Sequence, residues 1–298
     1  MHAERIAVVG AGAVGCYYGA MLARSGVPVT LVGRAPHVDA INREGLFLER
    51  QDFQGHVKLQ ADTRIDAVRE AGIVLLCVKT VDTESAAASL APHLAKDALL
   101  YSFQNGVDNA ERIRRATGIA ARPAAVWVAC AMSGPGRVTH NGRGDIVIGE
   151  ESRLVGTLRD AGVPCRVSDN IAGELWTKFV MNCAYNALSA VTRARYQILK
   201  DDPRTRDVMK TLVGEVVAVA RAAGVTLPTA DELMDAVVRL GDAMATATSS
   251  TEQDLARGRA TEIDSLNGYI ARRGLELGVP TPVNRTLHAL VKMLEPSR

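Results

Sequence analysis

Between residues 174 and 190 the chain reads ELWTKFVMNCAYNALSA, with Glu174, Lys178, Asn182 and Asn186 at intervals of four. Each such step turns an α-helix by only about 40°, so these side chains form one slowly turning polar stripe. Leu175, Trp176, Phe179, Val180, Met181, Ala184, Tyr185 and Leu188 around it are packing residues. On a helix buried elsewhere, the stripe is expensive unless it lines a wet cavity, meets a ligand or is satisfied by neighbouring helices. A protonated Lys178 can stabilise a developing alkoxide and donate a proton, and Asn182 and Asn186 can bind hydroxyl or carboxylate oxygens. Glu174 reads as a helix-start charge favoured by the dipole.

A second polar cluster, SSTEQDLARGRATEIDSLNGYI, spans 249–270. Ser250 is read as an N-cap and nothing more. Glu262 lies a little over three helical turns farther on and shares its face if the helix runs unbroken past Gly258.

The elements that would position a second reactant are in the first half. RIAVVGAGAVGCYYGAMLARSG runs from a β-branched stretch, Ile6 to Val9, through Gly10, Gly12 and Gly15 into an Ala-rich segment ending near Gly26. In this strand–turn–helix setting the first glycine permits a tight turn, the second lets the backbone approach a pyrophosphate, and the third lets helix and strand pack closely. Ala13 and Val14 fall in the helix's first turn, where backbone amides meet phosphate charge. After the second strand, PVTLVG, stand Gly33-Arg34 and then His37 in place of the Asp or Glu that holds NAD ribose hydroxyls. Arg34 suits a 2′-phosphate, which selects NADP. The runs IVLLCVKT and ALLYSF read as buried parallel strands, placing Lys79 and Asn105 at the carboxyl ends where a cofactor lies. From 124 to 149, Pro135-Gly136 and Asn141-Gly142 mark turns between added antiparallel strands, and His140 beside the second is a surface or turn histidine.

The chain is therefore expected to be α/β: a Rossmann-like dinucleotide-binding domain over 1–170, then an all-helical domain over 171–298 for substrate and for dimerisation. Its helices are expected at 171–190, 204–223, 229–245, 250–273 and 283–295, between Pro203, Gly224, Pro228 and Pro280. A formal charge of +2 argues against a nucleic-acid partner. Five scattered cysteines without CxxC or Cys/His pairing argue for free thiols and against a metal. With no signal segment and no long apolar run, a cytoplasmic protein with no membrane partner is expected.

Together these pieces resemble the ketopantoate reductase (2-dehydropantoate 2-reductase) family along nearly the whole chain. The matching segments are GAGAVG at 10–15, Gly33-Arg34, CVKT at 77–80, Gln104-Asn105-Gly106, WTKxxxNxxxN from Trp176 to Asn186, and SSTEQDxxRGRxTEIDxLNGY from Ser249 to Tyr269. The resemblance implies NADPH-dependent reduction of a 2-keto acid in a cleft between the domains. It puts the catalytic lysine on Lys178 and its acidic partner on Glu262, to orient the ammonium, bind the product or relay a proton. Substrate contacts fall on Asn182, Asn186, Ser250 and Asn105, and cofactor contacts on Arg34, Lys79 and Asn105. VACAMSGPG stands where biosynthetic members often carry a Thr-Thr-His-Gly type sequence. A paralogue acting on another 2-keto or 2-hydroxy acid is therefore the alternative, and a non-catalytic NADP-binding redox sensor a third.

Overall fold

The structure, a computed structural model, describes residues 4–296, which fall into two compact units, one ending at Ile171 and one beginning at Ala172. The first is mixed α/β. In chain order its strands are β1 (Ile6–Val9), β2 (Val29–Val32), β3 (Leu46–Arg50), β4 (Phe53–Val57), β5 (Gln60–Asp62), β6 (Ile73–Leu76), β7 (Leu99–Ser102), β8 (Arg122–Gly134) and β9 (Arg137–Ile148). Strands β7-β6-β1-β2-β5 form the parallel centre, and the antiparallel pair β3 and β4 lies at the far edge beyond β8 and β9. A last strand, β10 (Cys165–Val167), pairs with β9. Every residue of β1 and β6 is buried, as a continuous apolar run between two covered faces requires. Ile6, Val8, Ile73 and Leu75 pack on one side with Tyr18 and Leu22 of α1 (Ala13–Arg24). Ala7, Val9, Val74 and Leu76 pack on the other with Leu90 and Ile113.

The remaining helices of this unit are α2 (Ala35–Glu44), α3 (Thr83–Leu90), α4 (Asn109–Thr117) and α5 (Arg153–Asp160). Pro135-Gly136 is the expected turn, with Gly136 at φ +63°. Asn141-Gly142 is not: β9 continues through it while remaining paired with β8, with register shifts on either side of Val128 and Ala129. Gly142, Arg143 and Gly144 all take positive φ, and Gly144 lies directly over α1. A Cβ on Gly144 would stand 2.5 Å from the Tyr17 hydroxyl, and Tyr18 Oη donates to the Gly144 carbonyl at 3.2 Å. The strand bulges to admit two tyrosines without surrendering its partner.

The second unit is helical: α6 (Ile171–Thr192), α7 (Tyr196–Asp201), α8 (Pro203–Ala222), α9 (Ala230–Ala243), α10 (Ser250–Ala256), α11 (Asn267–Leu277) and α12 (Pro282–Leu294). The expected helix over 250–273 is two, because Gly258 at φ +64° ends the first. A 3₁₀ turn, Ile263–Ser265, then leads into the second. The short α7 was not foreseen; Tyr196 stacks on Tyr185 of α6 with centroids 4.0 Å apart. Buried Glu215 of α8 accepts from Val283 N, Asn284 N and Asn284 Nδ2 at 2.9, 2.9 and 2.7 Å, capping α12 from another helix. Among the described residues no helix is long and apolar enough to cross a membrane.

Candidate active site

The glycine turn joins β1 to α1, and its three glycines lack side chains for different reasons. Gly10 has φ +111°, and a Cβ there would lie 2.8 Å from the Cys77 carbonyl carbon. On Gly15 a Cβ would lie 2.1 Å from the Gly10 carbonyl oxygen. Both are demanded by the chain's own packing. Gly12 is not: a Cβ there would meet nothing within 4 Å, and its φ of −85° is ordinary. It is the N-cap of α1, without a capping side chain and without an acid in the first turn. The amides of Ala13, Val14 and Gly15 thus open the helix with no intrahelical acceptor, beside a residue whose missing side chain keeps space clear. That fits a phosphate group.

The neighbouring strand ends are tied together. Gln104, buried, donates to the Val78 carbonyl at 3.2 Å and to Thr83 Oγ1 at 2.7 Å, and accepts from Ser102 Oγ at 2.9 Å. The Asn105 carbonyl accepts from Thr80 Oγ1 at 2.9 Å and Asn109 Nδ2 at 2.6 Å. Lys79 and Asn105 therefore sit on two loops that form one braced edge at the carboxyl ends of β6 and β7. Lys79 lies beyond the strand, at the N-cap of a 3₁₀ turn. Arg34 is exposed at the N-cap of α2. His37 is structural: its Nδ1 accepts from Gly136 N at 3.3 Å, and burial, then Arg34, hold its pKa below the usual range. Sequence reasoning missed that β5 ends here, Gly33 N donating to the Asp62 carbonyl at 3.0 Å, so that Asp62 and Arg64 also stand at this corner. His140 stacks on Tyr17 at 4.5 Å, and its Nε2 lies 2.6 Å from the Arg143 carbonyl.

In the second unit the stripe of α6 is graded. Glu174, Lys178 and Asn182 are half-buried, whereas Asn186 is 4% exposed. Asn186 is also heavily engaged: its Oδ1 accepts from Ser250 Oγ (3.1 Å), Thr251 N (3.3 Å) and Thr251 Oγ1 (2.8 Å), and its Nδ2 donates to the Asn182 carbonyl at 2.9 Å. The structure thus brings Asn182, Asn186 and Ser250 together, with Asn186 as the bracket holding α10 to α6. The N-cap of α10 is not Ser250 but Ser249, whose fully buried hydroxyl accepts from Glu252 N at 3.0 Å and donates to the Asn186 carbonyl at 3.2 Å. Ser250 and Glu262 do not share a helical face, because α10 ends at Ala256. Glu262 precedes the 3₁₀ turn that leads into α11, where Tyr269 packs edge-on against Trp176 and Phe179, the residues flanking Lys178. Thr251 was missed; its signal was a third hydroxyl in Ser249-Ser250-Thr251.

All five cysteines are free. Burial, the main cause, pushes the Cys16 thiol up to about 12 and that of Cys165 to about 11, so neither is poised to react.

Two family models match the chain in sequence order: ketopantoate reductase PanE/ApbA over residues 6–153, and the ketopantoate reductase PanE/ApbA C-terminal model over 170–295. This chain belongs to the ketopantoate reductase family. Within that family it is 30% identical over 303 residues to the 2-dehydropantoate 2-reductase of Pyrococcus horikoshii, covering 98% of this chain and 97% of that protein. It superposes on a PanE/ApbA family ketopantoate reductase from Ralstonia eutropha JMP134 with a TM-score of 0.93 and 49% identity, covering 98% of both chains. It also superposes on D-mandelate dehydrogenase, in a ternary structure with NADH and anilino(oxo)acetate, with a TM-score of 0.90, 26% identity and 98% of both chains covered. The ketopantoate reductase fold therefore carries at least two 2-oxo or 2-hydroxy acid chemistries among relatives of this chain.

Proposed function

We propose that this protein reduces a 2-keto acid to the 2-hydroxy acid with NADPH, and that ketopantoate, reduced to pantoate for pantothenate biosynthesis, is its first candidate substrate. The reading rests above all on Gly12, a glycine with no intramolecular reason to lack a side chain, in a chain that also places Lys178 on a half-buried polar stripe. The glycine turn, Arg34, Lys79 and Asn105 would hold the dinucleotide, which when bound would supply the hydride. Lys178 stabilises the negative charge on the reduced carbonyl oxygen and donates the proton. Asn182 holds the substrate's oxygens, joined by Ser250 once its hydroxyl turns from Asn186 Oδ1 to the substrate. Asn186 acts mainly by presenting Ser250, since its side-chain Oδ1 already accepts three bonds. Glu262 orients the ammonium, binds the product hydroxyls or relays a proton.

Arg34 supports NADP over NAD, because a guanidinium at the end of β2 offers a fork to a 2′-phosphate. D-Mandelate dehydrogenase, solved with NADH, gives the second reading: an enzyme of the same architecture acting on a different 2-keto or 2-hydroxy acid. NADPH and NADH oxidation, followed by absorbance with ketopantoate beside a panel of aliphatic and aromatic 2-keto acids, decides between them. Preferred turnover of ketopantoate supports the first reading, and turnover only of another acid replaces it with the second. Absence of turnover with every acid rejects both.

A further inference from the structure

The turn carrying Glu262 is fastened on both sides by the end of the chain's last helix. One residue before it, Thr261 donates to Glu295 Oε1 from its backbone N at 3.0 Å and from Oγ1 at 2.6 Å. Two residues after it, Asp264 Oδ1 lies 2.6 Å from His288 Nε2, and Oδ2 accepts from Lys292 Nζ at 2.9 Å. Lys292 Nζ also donates to Glu295 Oε2 at 2.5 Å, so one ammonium joins both fastenings. Arg272 Nη2 holds the Asp264 carbonyl at 2.8 Å, and the Glu262 carbonyl accepts from Ser265 N at 2.9 Å. Gly268 makes the approach of α12 feasible, since a Cβ there would lie 2.8 Å from the His288 ring.

We propose that Lys292 and Glu295 are positioning residues that hold Glu262 in its working orientation. The inference rests on the reductase reading, in which Glu262 serves the reaction. A three-residue 3₁₀ turn has little rigidity of its own, and the helix that could have carried Glu262 is broken at Gly258. Partly exposed ion pairs contribute little to global stability. Their convergence on positions 261 and 264, which bracket Glu262 and the buried Ile263, is explained by the placing of Glu262. Glu295 also keeps its fastening when charged: burial raises its pKa, but the bonds from Lys292 and Thr261 outweigh it and hold the carboxyl below the usual range.

The test compares wild type with Lys292→Met, Glu295→Ala, Glu295→Gln, Glu262→Gln and the double variant Glu262→Gln/Glu295→Ala. Each is assayed by steady-state NADPH oxidation with the keto acid that wild type turns over, and by amide hydrogen exchange of residues 258–266. Lys292→Met and Glu295→Ala are expected to lower kcat about tenfold, leave the KM for NADPH within about twofold, and speed exchange in the turn. Glu295→Gln, which keeps an acceptor for Thr261, recovers most of the rate. The double variant is no slower than Glu262→Gln alone, the signature of action through Glu262. Unchanged kcat in both single variants, or additive losses in the double, overturns the proposal. A wild type that turns over no 2-keto acid overturns the reductase reading instead; unchanged exchange in the turn then overturns the fastening by itself.

Discussion

The glycine turn and the polar stripe of α6 are both polar places set into apolar surroundings, and they are made in opposite ways. The turn is built from backbone: Gly10 and Gly15 let the chain fold closely, and Gly12 leaves space. The stripe is built from side chains, some of which serve one another before any ligand. Asn186 accepts three bonds from α10, while Lys178 and Asn182 remain half-buried farther up the same helix. A backbone site is therefore defined by what is missing from it. A side-chain site is defined by which of its members are already engaged.

The sharpest way to break this contrast is Lys178→Ala. It should lower kcat by about 10²–10⁴ while leaving NADPH affinity, measured by fluorescence titration, unchanged. Equal loss of both would put the lysine in the cofactor site. On the backbone side, Gly15→Ala should destabilise the first unit by about 1–3 kcal/mol, because the new Cβ meets a backbone oxygen at 2.1 Å. Gly12→Ala should melt with wild type yet bind NADPH at least about tenfold more weakly, that is by about 1.4 kcal/mol. A Gly12→Ala protein with full affinity would remove the main support for a phosphate at the turn.

Smaller effects sharpen the stripe. Asn186→Ala should cost about 1–3 kcal/mol in urea unfolding, as the amide and hydroxyl of buried Thr251 on α10 lose their acceptor. It should also raise the KM for the keto acid through Ser250. Ser249→Ala removes the N-cap of α10 and should cost about 1 kcal/mol.

The smallest expected effect is the pH dependence of the Asp264, Lys292 and Glu295 cluster. Burial raises the pKa of both carboxyls, but their bonds to Lys292, to His288 for Asp264 and to Thr261 for Glu295 outweigh it, leaving both below the usual range. Their stabilisation is complete above the ordinary carboxylate range and is lost as pH falls through the depressed folded values. Lys292 is held above the usual range, chiefly by Glu295, so its contribution is lost only as pH rises through that raised value. The difference in unfolding midpoint between wild type and Lys292→Met should therefore be flat near neutrality and shrink in acid. A difference that grew in acid would contradict the assignment.

Legibility follows the same division. Gly10, Gly12 and Gly15 act over six residues, so their spacing, with the β-branched run before and the Ala-rich segment after, announced turn and helix. The stripe of α6 was legible because four-residue spacing is local too. What Asn186 does with it was not, since its partners lie 64 and 65 residues away. A helix continuous from Ser250 to Glu262 was a reasonable periodicity reading that one glycine at positive φ interrupts. Asn141-Gly142 has the composition of a turn, and only the tyrosines beneath it reveal a bulge. Arg64 escaped notice because β5, three residues long, has too little pattern to announce itself.

The carboxylate of Glu215 has a consequence for how the helical unit opens. Because it is buried and caps α12 from α8, α12 cannot fray from its first turn without stranding an acid inside the unit. The two helices should therefore behave as one cooperative piece, their amides near this contact exchanging with solvent together, and late. Because the far end of α12 also fastens Thr261 and Asp264, the turn that presents Glu262 is anchored to that same late-opening piece.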